Sequence, residues 1–193
     1  MATPLGNLAD ISLRALHVLQ LVDAIACEDT RHTQALLRAY GMDRPGAQLL
    51  AVHQHNESEG AQRVLERLQQ GQRVAYASDA GTPGVSDPGA RLVAAVRAAG
   101  LPVVPLPGAS SITTAVSVAG LVAQGADDGG FVFAGFLPPK ATERGHAVAA
   151  LAGQARPVVL LEAPHRVEEL ARALAVLGPR AITVGRELTK QFE

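Results

Sequence analysis

The sequence A-S-D-A-G-T-P-G-V-S-D-P-G, from Ala77 to Gly89, follows the short apolar run Val74–Ala77 and precedes a helical pattern. It therefore predicts a loop at the carboxyl end of a buried strand. Three glycines and two prolines can hold this loop in one open conformation, because glycine permits positive φ and proline restricts φ. In open α/β sheets, loops at this edge of the strands form the ligand crevice. The stretch thus predicts a cradle for a small ligand.

Polar or small-residue loops follow the other predicted strands as well. The predicted strands are Asp23–Glu28, Gln48–His53, Val74–Ala77, Val103–Val104, Phe131–Phe136, Val158–Leu161 and Ile182–Val184. Helical patterns separate them, and the predicted helix caps are Asp10 or Ser12, Ser58, and Asp87 followed by Pro88. A composition break lies at 125–130. Alternating strands and helices predict the α/β class with a largely parallel sheet.

Composition narrows the possible classes of protein. The chain has 193 residues, of which 48% are hydrophobic, and a net charge of −1, so bulk charge indicates neither a nucleic-acid nor a membrane partner. Any such partner would have to meet a local basic patch. The single cysteine, Cys27, excludes an internal disulfide and suits a reducing compartment. We expect a cytoplasmic protein with no membrane partner, and Cys27 as a small core residue.

Familiar ligand motifs are missing from the sequence. There is no G-x-G-x-x-G, no P-loop, no G-x-S-x-G and no Cys/His spacing typical of zinc, so no metal is predicted. The remaining signal is a set of rigid, small-residue loops at one edge of the sheet. Such loops suit a medium-sized polar cofactor held by backbone groups.

Seven motifs in order resemble the tetrapyrrole methylase superfamily, in the branch that modifies ribosomal RNA. They are A-T-P-L-G-N-L, A-C-E-D-T-R-H-T, H-N-E, S-D-A-G-T-P-G-V-S-D-P-G, P-L-P-G-A-S-S, E-A-P-H-R and R-E-L-T-K-Q-F-E. The resemblance covers nearly the whole chain. E-D-T-R-H-T and S-D-A-G-T-P separate this branch from the enzymes that methylate tetrapyrroles.

The resemblance implies two α/β domains, 1–111 and 112–193, with a cofactor cleft between them, and a homodimer. It implies S-adenosyl-L-methionine as the cofactor and 2′-O-methylation of a cytidine in the decoding region of 16S rRNA. The partner would be the small ribosomal subunit or its precursor. Relative to the family pattern, both ends of the chain are expected to be truncated.

Site residues are carried over by motif. The implied cofactor-binding residues are Pro4, Asp79, Ala80, Gly81, Thr82, Val85, Ser110, Ser111, Glu162 and Leu188. Methyl transfer to a ribose hydroxyl benefits from a proton acceptor, for which Asp29, Asp79 and Glu162 are candidates. Arg31, Arg166 and Lys190 are candidates for contacts to phosphate or to the developing alkoxide.

Alternative interpretations remain open at this point. Glu28 and Asp29 could pair with Arg31 in a solvated turn, and Asp87 could serve only as a helix cap. The chain could also be a C-methyltransferase for a tetrapyrrole precursor, or a shortened paralogue that binds cofactor or RNA without catalysis. The E-D-T-R-H-T loop and the basic loop around Lys140 favour RNA over a tetrapyrrole.

Overall fold

The computed structural model describes residues 1–53, 55–87, 89–120 and 130–193. Its strands are β1 (Ala24–Cys27), β2 (Leu49–Ala51), β3 (Val74–Ala77), β4 (Val132–Phe136) and β5 (Val158–Leu161). Its α-helices are α1 (Leu13–Leu21), α2 (Thr30–Ala39), α3 (Glu57–Gln69), α4 (Gly89–Ala98), α5 (Ser111–Val118), α6 (Ala141–Ala152) and α7 (Val167–Leu174). The chain divides into two compact units. Residues 1–111 and 187–193 form the first unit, and residues 112–186 form the second.

The first unit is built on a parallel three-stranded sheet with the order β2-β1-β3. Cys27 at the end of β1 pairs with Ala51 and Ala77, so the three strands end at one edge. All four residues of β1 are buried, as expected for a central parallel strand covered on both faces. Cys27 is fully buried, and burial raises the pKa of its thiol.

Two hydrophobic clusters cover the two faces of this sheet. On one face, Leu19 of α1 and Leu37 of α2 pack on Ile25. On the other face, Val64 of α3 and Leu92 of α4 pack against the alternate residues of β1. The period-2 alternation of side chains along β1 therefore places α1 and α2 on one side of the sheet and α3 and α4 on the other.

The second unit contains a parallel pair of strands, β4 and β5, in which Val132 pairs with Val158 and Phe136 with Leu161. Helices α6 and α7 belong to the same unit. Phe133 and Phe136 are 38% and 53% exposed, so β4 is only partly covered.

The predicted α/β class with parallel sheets is confirmed, but two predicted strands are wrong. No strand forms at Val103–Val104 or Ile182–Val184. Val104 is 75% exposed and Val184 is 76% exposed, and neither segment pairs with a described strand. An apolar run becomes a strand only when a neighbouring chain completes its hydrogen-bond ladder, and here the apolar pattern alone was misleading.

The observed helix starts can be compared with the predicted helix caps. Ser12 caps α1, since its hydroxyl accepts a hydrogen bond from Ala15 N at 3.1 Å. Ser58 is not a cap, because α3 already begins at Glu57 after Asn56. Asp87 accepts from Gly89 N at 2.7 Å, as a cap of α4 would. Pro88 and most of the composition break at 125–130 lie outside the described residues.

Arg44 ties the end of α1 to the chain after α2. Its guanidinium donates to Leu19 O and Val22 O, both at 2.6 Å, and to Gln20 O at 2.9 Å. These carbonyls lack partners within α1, because the last carbonyls of a helix have no following N–H.

We expect Arg44→Leu to lower the free energy of unfolding by about 2 kcal/mol, because a charged donor is lost from several carbonyls at once. Urea denaturation measures the change. Arg97→Leu on α4 is the control, since no described carboxylate pairs with Arg97. Equal stability of the two variants would contradict this role of Arg44.

No helix in the described ranges has the length and apolar character that a membrane span requires.

Candidate active site

The loop after β3 is joined to the first residues of the chain. Thr3 and Gly81 form an antiparallel bridge through two backbone hydrogen bonds of 3.0 Å. The buried Thr3 hydroxyl donates to Ser78 O at 2.9 Å, and the Ser78 hydroxyl donates to Gly81 O at 2.6 Å. Because these groups are buried and paired with one another, the two loops form one rigid piece.

A third loop joins the same point. The Thr82 hydroxyl donates to Ala109 O at 3.0 Å. Gly81 has φ of +80°, and a Cβ built there would lie 3.2 Å from Leu5 Cδ2 and 3.8 Å from Ala109 O. Only glycine adopts this φ without strain, so the position requires both the freedom and the small size of glycine.

Asp87 holds the carboxyl-terminal end of the loop after β3, which we call the glycine-rich loop. Its Oδ1 accepts from Gly84 N at 2.9 Å and from Gly89 N at 2.7 Å. Gly84 has φ of +81° and Ser86 has φ of +70°. A non-glycine residue at positive φ is uncommon and costs free energy, so the surrounding hydrogen bonds maintain a strained loop.

The loop after β1 meets the glycine-rich loop through Asp79, whose Oδ1 accepts from Asp29 N at 3.2 Å. Asp29 is itself committed to Arg31. The Arg31 guanidinium donates to both Asp29 oxygens, at 3.2 and 2.8 Å, and Asp29 Oδ1 also accepts from Arg31 N at 2.8 Å. These hydrogen bonds hold the pKa of Asp29 far below its usual range. So weak a base is poorly suited to accept a proton at neutral pH.

Glu28 is a carboxylate that was not among the proton acceptors predicted from the sequence. It follows Cys27 at the carboxyl end of the central strand and is half buried. Burial raises its pKa above the ordinary value, and the negative charges of Asp79 and Asp87 raise it further. Among the described residues, none donates a hydrogen bond to its carboxylate. Its acidic neighbours are distant in sequence, so only the register of β1 with β3 could have revealed them.

Because the folded pKa of Glu28 lies above the ordinary value of 4.5, the folded chain binds this proton more tightly than the unfolded chain. Stability therefore falls as pH rises through the interval above 4.5. We expect Glu28→Gln to remove that loss, so that its melting temperature relative to the wild type is higher at pH 8 than at pH 4. Thermal melts at both pH values test this, and a constant difference would contradict it.

The segment 187–193 also belongs to the first unit. The stem of Lys190 crosses over Gly6, so that a Cβ at Gly6 would meet three carbons of this side chain. Leu188 is half buried. The first unit thus contains most of the site residues taken from the sequence. They are Pro4, Asp29, Arg31, Asp79, Ala80, Gly81, Thr82, Val85, Ser110, Ser111, Leu188 and Lys190.

Glu162 belongs to the second unit, where it directly follows β5. Its Oε1 lies 3.2 Å from Arg166 Nε, and the two side chains are 6% and 20% exposed. The Arg166 guanidinium also donates to Leu137 O at 2.9 Å. Glu162 Oε2 is buried and accepts no hydrogen bond from a described residue. Glu162 therefore retains one acceptor oxygen without a described donor.

An open cleft of about 790 Å³ lies at the opposite, amino edge of the first sheet. Most of its charged side chains are engaged within the protein, including Asp23, Arg44, Arg67 and Arg73. Hydrogen bonds from Arg73 hold the pKa of Asp23 at about 2, and Arg44 binds the carbonyls of α1. In the described ranges, no group of three or more His, Cys, Asp or Glu residues is placed to hold a metal.

The fold and the loop cluster agree with the comparison to known proteins. The chain belongs to the Tetrapyrrole (Corrin/Porphyrin) Methylases, which it matches over residues 2–193. This confirms the family expected from the seven motifs, and with it the methyltransferase class. The expected cofactor, S-adenosyl-L-methionine, agrees with this membership.

Two relatives named Ribosomal RNA small subunit methyltransferase I are each 48% identical to this chain. The Xylella fastidiosa (strain Temecula1) protein aligns with 100% of the chain, and the Escherichia coli O157:H7 protein aligns with 99%. The chain spans 68% and 65% of these two proteins, or about two thirds of their length.

Solved structures with this fold are more distant in sequence. Cobalt precorrin-4 methyltransferase has a TM-score of 0.61 at 17% identity, covering 92% of this chain and 73% of its own. The uroporphyrin-III C-methyl transferase of Thermus thermophilus, complexed with S-adenyl homocysteine, has a TM-score of 0.57 at 21% identity. That match covers 93% of this chain and 76% of the Thermus chain. At this identity, the two structures establish the fold alone.

Proposed function

We propose that this chain transfers a methyl group from S-adenosylmethionine to ribosomal RNA of the small subunit, at the 2′-oxygen of a cytidine ribose in the decoding region of 16S rRNA. The observation that carries the proposal is the joining of three loops at Gly81. Relatives 48% identical to the chain are named for methylation of small-subunit ribosomal RNA, which supports the substrate class. A homodimer that acts in the cytoplasm belongs to the same proposal.

The residues present fit the cofactor. Gly81 forms a stretch of backbone without a side chain, beside the polar side chains of Asp79 and Thr82. Such a surface can approach a ribose and an amino-acid group closely and offer them hydrogen bonds. The bound cofactor would supply an activated methyl group on a sulfonium. Pro4, Ala80, Val85, Ser110, Ser111, Glu162 and Leu188 stay proposed cofactor contacts, which rest on the family resemblance.

Proton removal from the ribose hydroxyl is assigned to Glu28 rather than to Asp29. A carboxylate with a raised pKa is a stronger base than an ordinary one, whereas Asp29 is weakened by Arg31. Arg31, whose side chain is 90% exposed, and Lys190 are proposed to hold phosphates or the developing alkoxide. Asp29 would then position Arg31.

Incubation with S-adenosylmethionine labelled in its methyl group tests the proposal. The substrates are immature small ribosomal subunits and, separately, a tetrapyrrole precursor such as uroporphyrinogen III. The expected result is label in a dinucleotide that resists base hydrolysis of the RNA, because a 2′-O-methyl group blocks cleavage of its own linkage, whereas a methyl group on a base would appear in mononucleotides. Label in the tetrapyrrole alone would support C-methylation. Cofactor binding without any label would support a non-catalytic paralogue.

A further inference from the structure

Helices α1 and α2 carry no carboxylate. Their sequences are L-R-A-L-H-V-L-Q-L and T-R-H-T-Q-A-L-L-R-A, and neither has an acidic residue in its first turn. Helix α3 differs, with Glu57 and Glu59 in its first turn and Arg67 in its last. The arrangement in α3 suits the helix dipole, which favours acidic groups at the amino end. Arg14 stands in the first turn of α1, where a cation is unfavourable, so helix stability does not explain it.

The two helices present their cations on one side of the sheet. Both pack on the cluster that contains Leu19 and Leu37, and Arg14, His17, Arg31, His32 and Arg38 are all exposed. The Tyr40 hydroxyl donates to Leu8 O at 2.6 Å, which joins the end of α2 to the turn before α1. We call these three arginines and two histidines the α1–α2 basic face.

Most arginines of the first unit are occupied by the protein itself. Arg73 and Arg91 pair with carboxylates, and Arg44, Arg63 and Arg67 donate to backbone carbonyls. By contrast, no described carboxylate pairs with Arg14 or Arg38. Arg31 pairs with Asp29 through Nε and one terminal nitrogen, and its side chain is 90% exposed. Arg14 and Arg38 are therefore available to an external anion, whereas Arg31 offers only the terminal nitrogen that does not bind Asp29.

A polyanion is the partner that suits this face. Single exposed cations attract small anions weakly, but exposed arginines on two neighbouring helices that contain no carboxylate suit a phosphate backbone, whose binding releases counterions. The chain as a whole has a net charge of −1, so an RNA partner requires such a local patch. Arg31 places one end of the face beside the loop that joins Asp29 to Asp79.

We infer that the α1–α2 basic face is the surface on which the chain holds the phosphates of its RNA substrate, an assignment that rests on the proposed function. Phosphate contacts position the RNA without reading its sequence, and base identity would be read elsewhere. The face thus sets the orientation in which a ribose reaches the loops around Gly81.

The test measures binding of the chain to purified small ribosomal subunits by filter binding at several KCl concentrations. We expect Arg14→Gln/Arg38→Gln to bind about 10-fold more weakly, and the slope of log affinity against log salt to fall by about 1 to 2. Arg14→Lys/Arg38→Lys should retain most of the affinity, because lysine also binds phosphate as a point charge.

Arg97→Gln is the matched control. Like Arg38, Arg97 is exposed in the last turn of a ten-residue helix, but α4 lies on the opposite face of the sheet. Calorimetry with S-adenosylmethionine should give the same affinity for all variants, which shows that the fold is kept. If the wild type binds and methylates subunits but Arg14→Gln/Arg38→Gln binds them as well as Arg97→Gln does, the inference about the α1–α2 basic face is wrong and the proposed function stands. If the wild type neither binds nor methylates subunits, the proposed function fails as well.

Discussion

Gly81→Val is expected to abolish measurable binding of S-adenosylmethionine, with a loss of affinity of at least about 100-fold, or roughly 3 kcal/mol. Gly81 has φ of +80°, a conformation that strains a β-branched residue. The added side chain would also press on Leu5, 3.2 Å from the new Cβ. Because Gly81 pairs with Thr3, any relief of this strain would shift both loops. Isothermal titration calorimetry measures the affinity.

Gly71→Val is the control that distinguishes damage to the cofactor site from the general effect of backbone strain at a positive φ. Gly71 has φ of +79° and lies just beyond α3, and no neighbouring atom comes within 4 Å of the place that a Cβ would take. The variant therefore carries a similar backbone cost of about 1–2 kcal/mol, far along the chain from the glycine-rich loop. It should melt at a lower temperature and yet bind S-adenosylmethionine like the wild type. If the two variants bind the cofactor equally well, Gly81 is not part of the site.

Glu162→Leu should lower the free energy of unfolding by about 3 kcal/mol, the largest loss of stability that we expect from a single substitution in the second unit. Removal of this carboxylate leaves the guanidinium of Arg166, which is only 20% exposed, without its ion-pair partner. A buried charge without a partner costs more than the pair contributes. Ala163 N also loses the acceptor that it reaches at 2.8 Å. Urea denaturation monitored by circular dichroism provides the measurement.

The double variant Glu162→Leu/Arg166→Met tests whether the two side chains act as a pair. Because it removes both charges, it should recover more than half of the stability that Glu162→Leu loses. A double variant as unstable as the single one would show that the two side chains act independently. In that case the unpaired Oε2 of Glu162, rather than its pairing with Arg166, would be its main feature.

The class of fold and the position of the glycine-rich loop after β3 could be predicted from the sequence. Glycine, proline and aspartate between Ala77 and Gly89 act locally, through positive φ at Gly81 and Gly84 and through the Asp87 cap. Such local rules do not need the rest of the molecule. The loop could therefore be placed at the carboxyl end of a strand before any tertiary contact was known.

Contacts between residues that are distant in the chain could not be predicted from the sequence. The pairing of Asp29 with Arg31 is local and was among the interpretations that the sequence offered, but the sequence does not show that the charges of Asp79 and Asp87 act on Glu28. The anchoring of α1 by Arg44 depends on a contact across more than twenty residues. Apolar character likewise could not show that Val184 has no strand beside it. In each case the deciding partner is remote in the chain.

The packing of Lys190 over Gly6 has a consequence for biosynthesis. Translation proceeds from the amino terminus at about 5–20 residues per second, so residue 190 emerges several seconds after Ser111. Throughout that interval the nascent first unit lacks the segment that covers Gly6. The loops around Thr3 therefore reach their final environment only after residue 190 has been synthesised, and a chaperone that acts before then would encounter them uncovered.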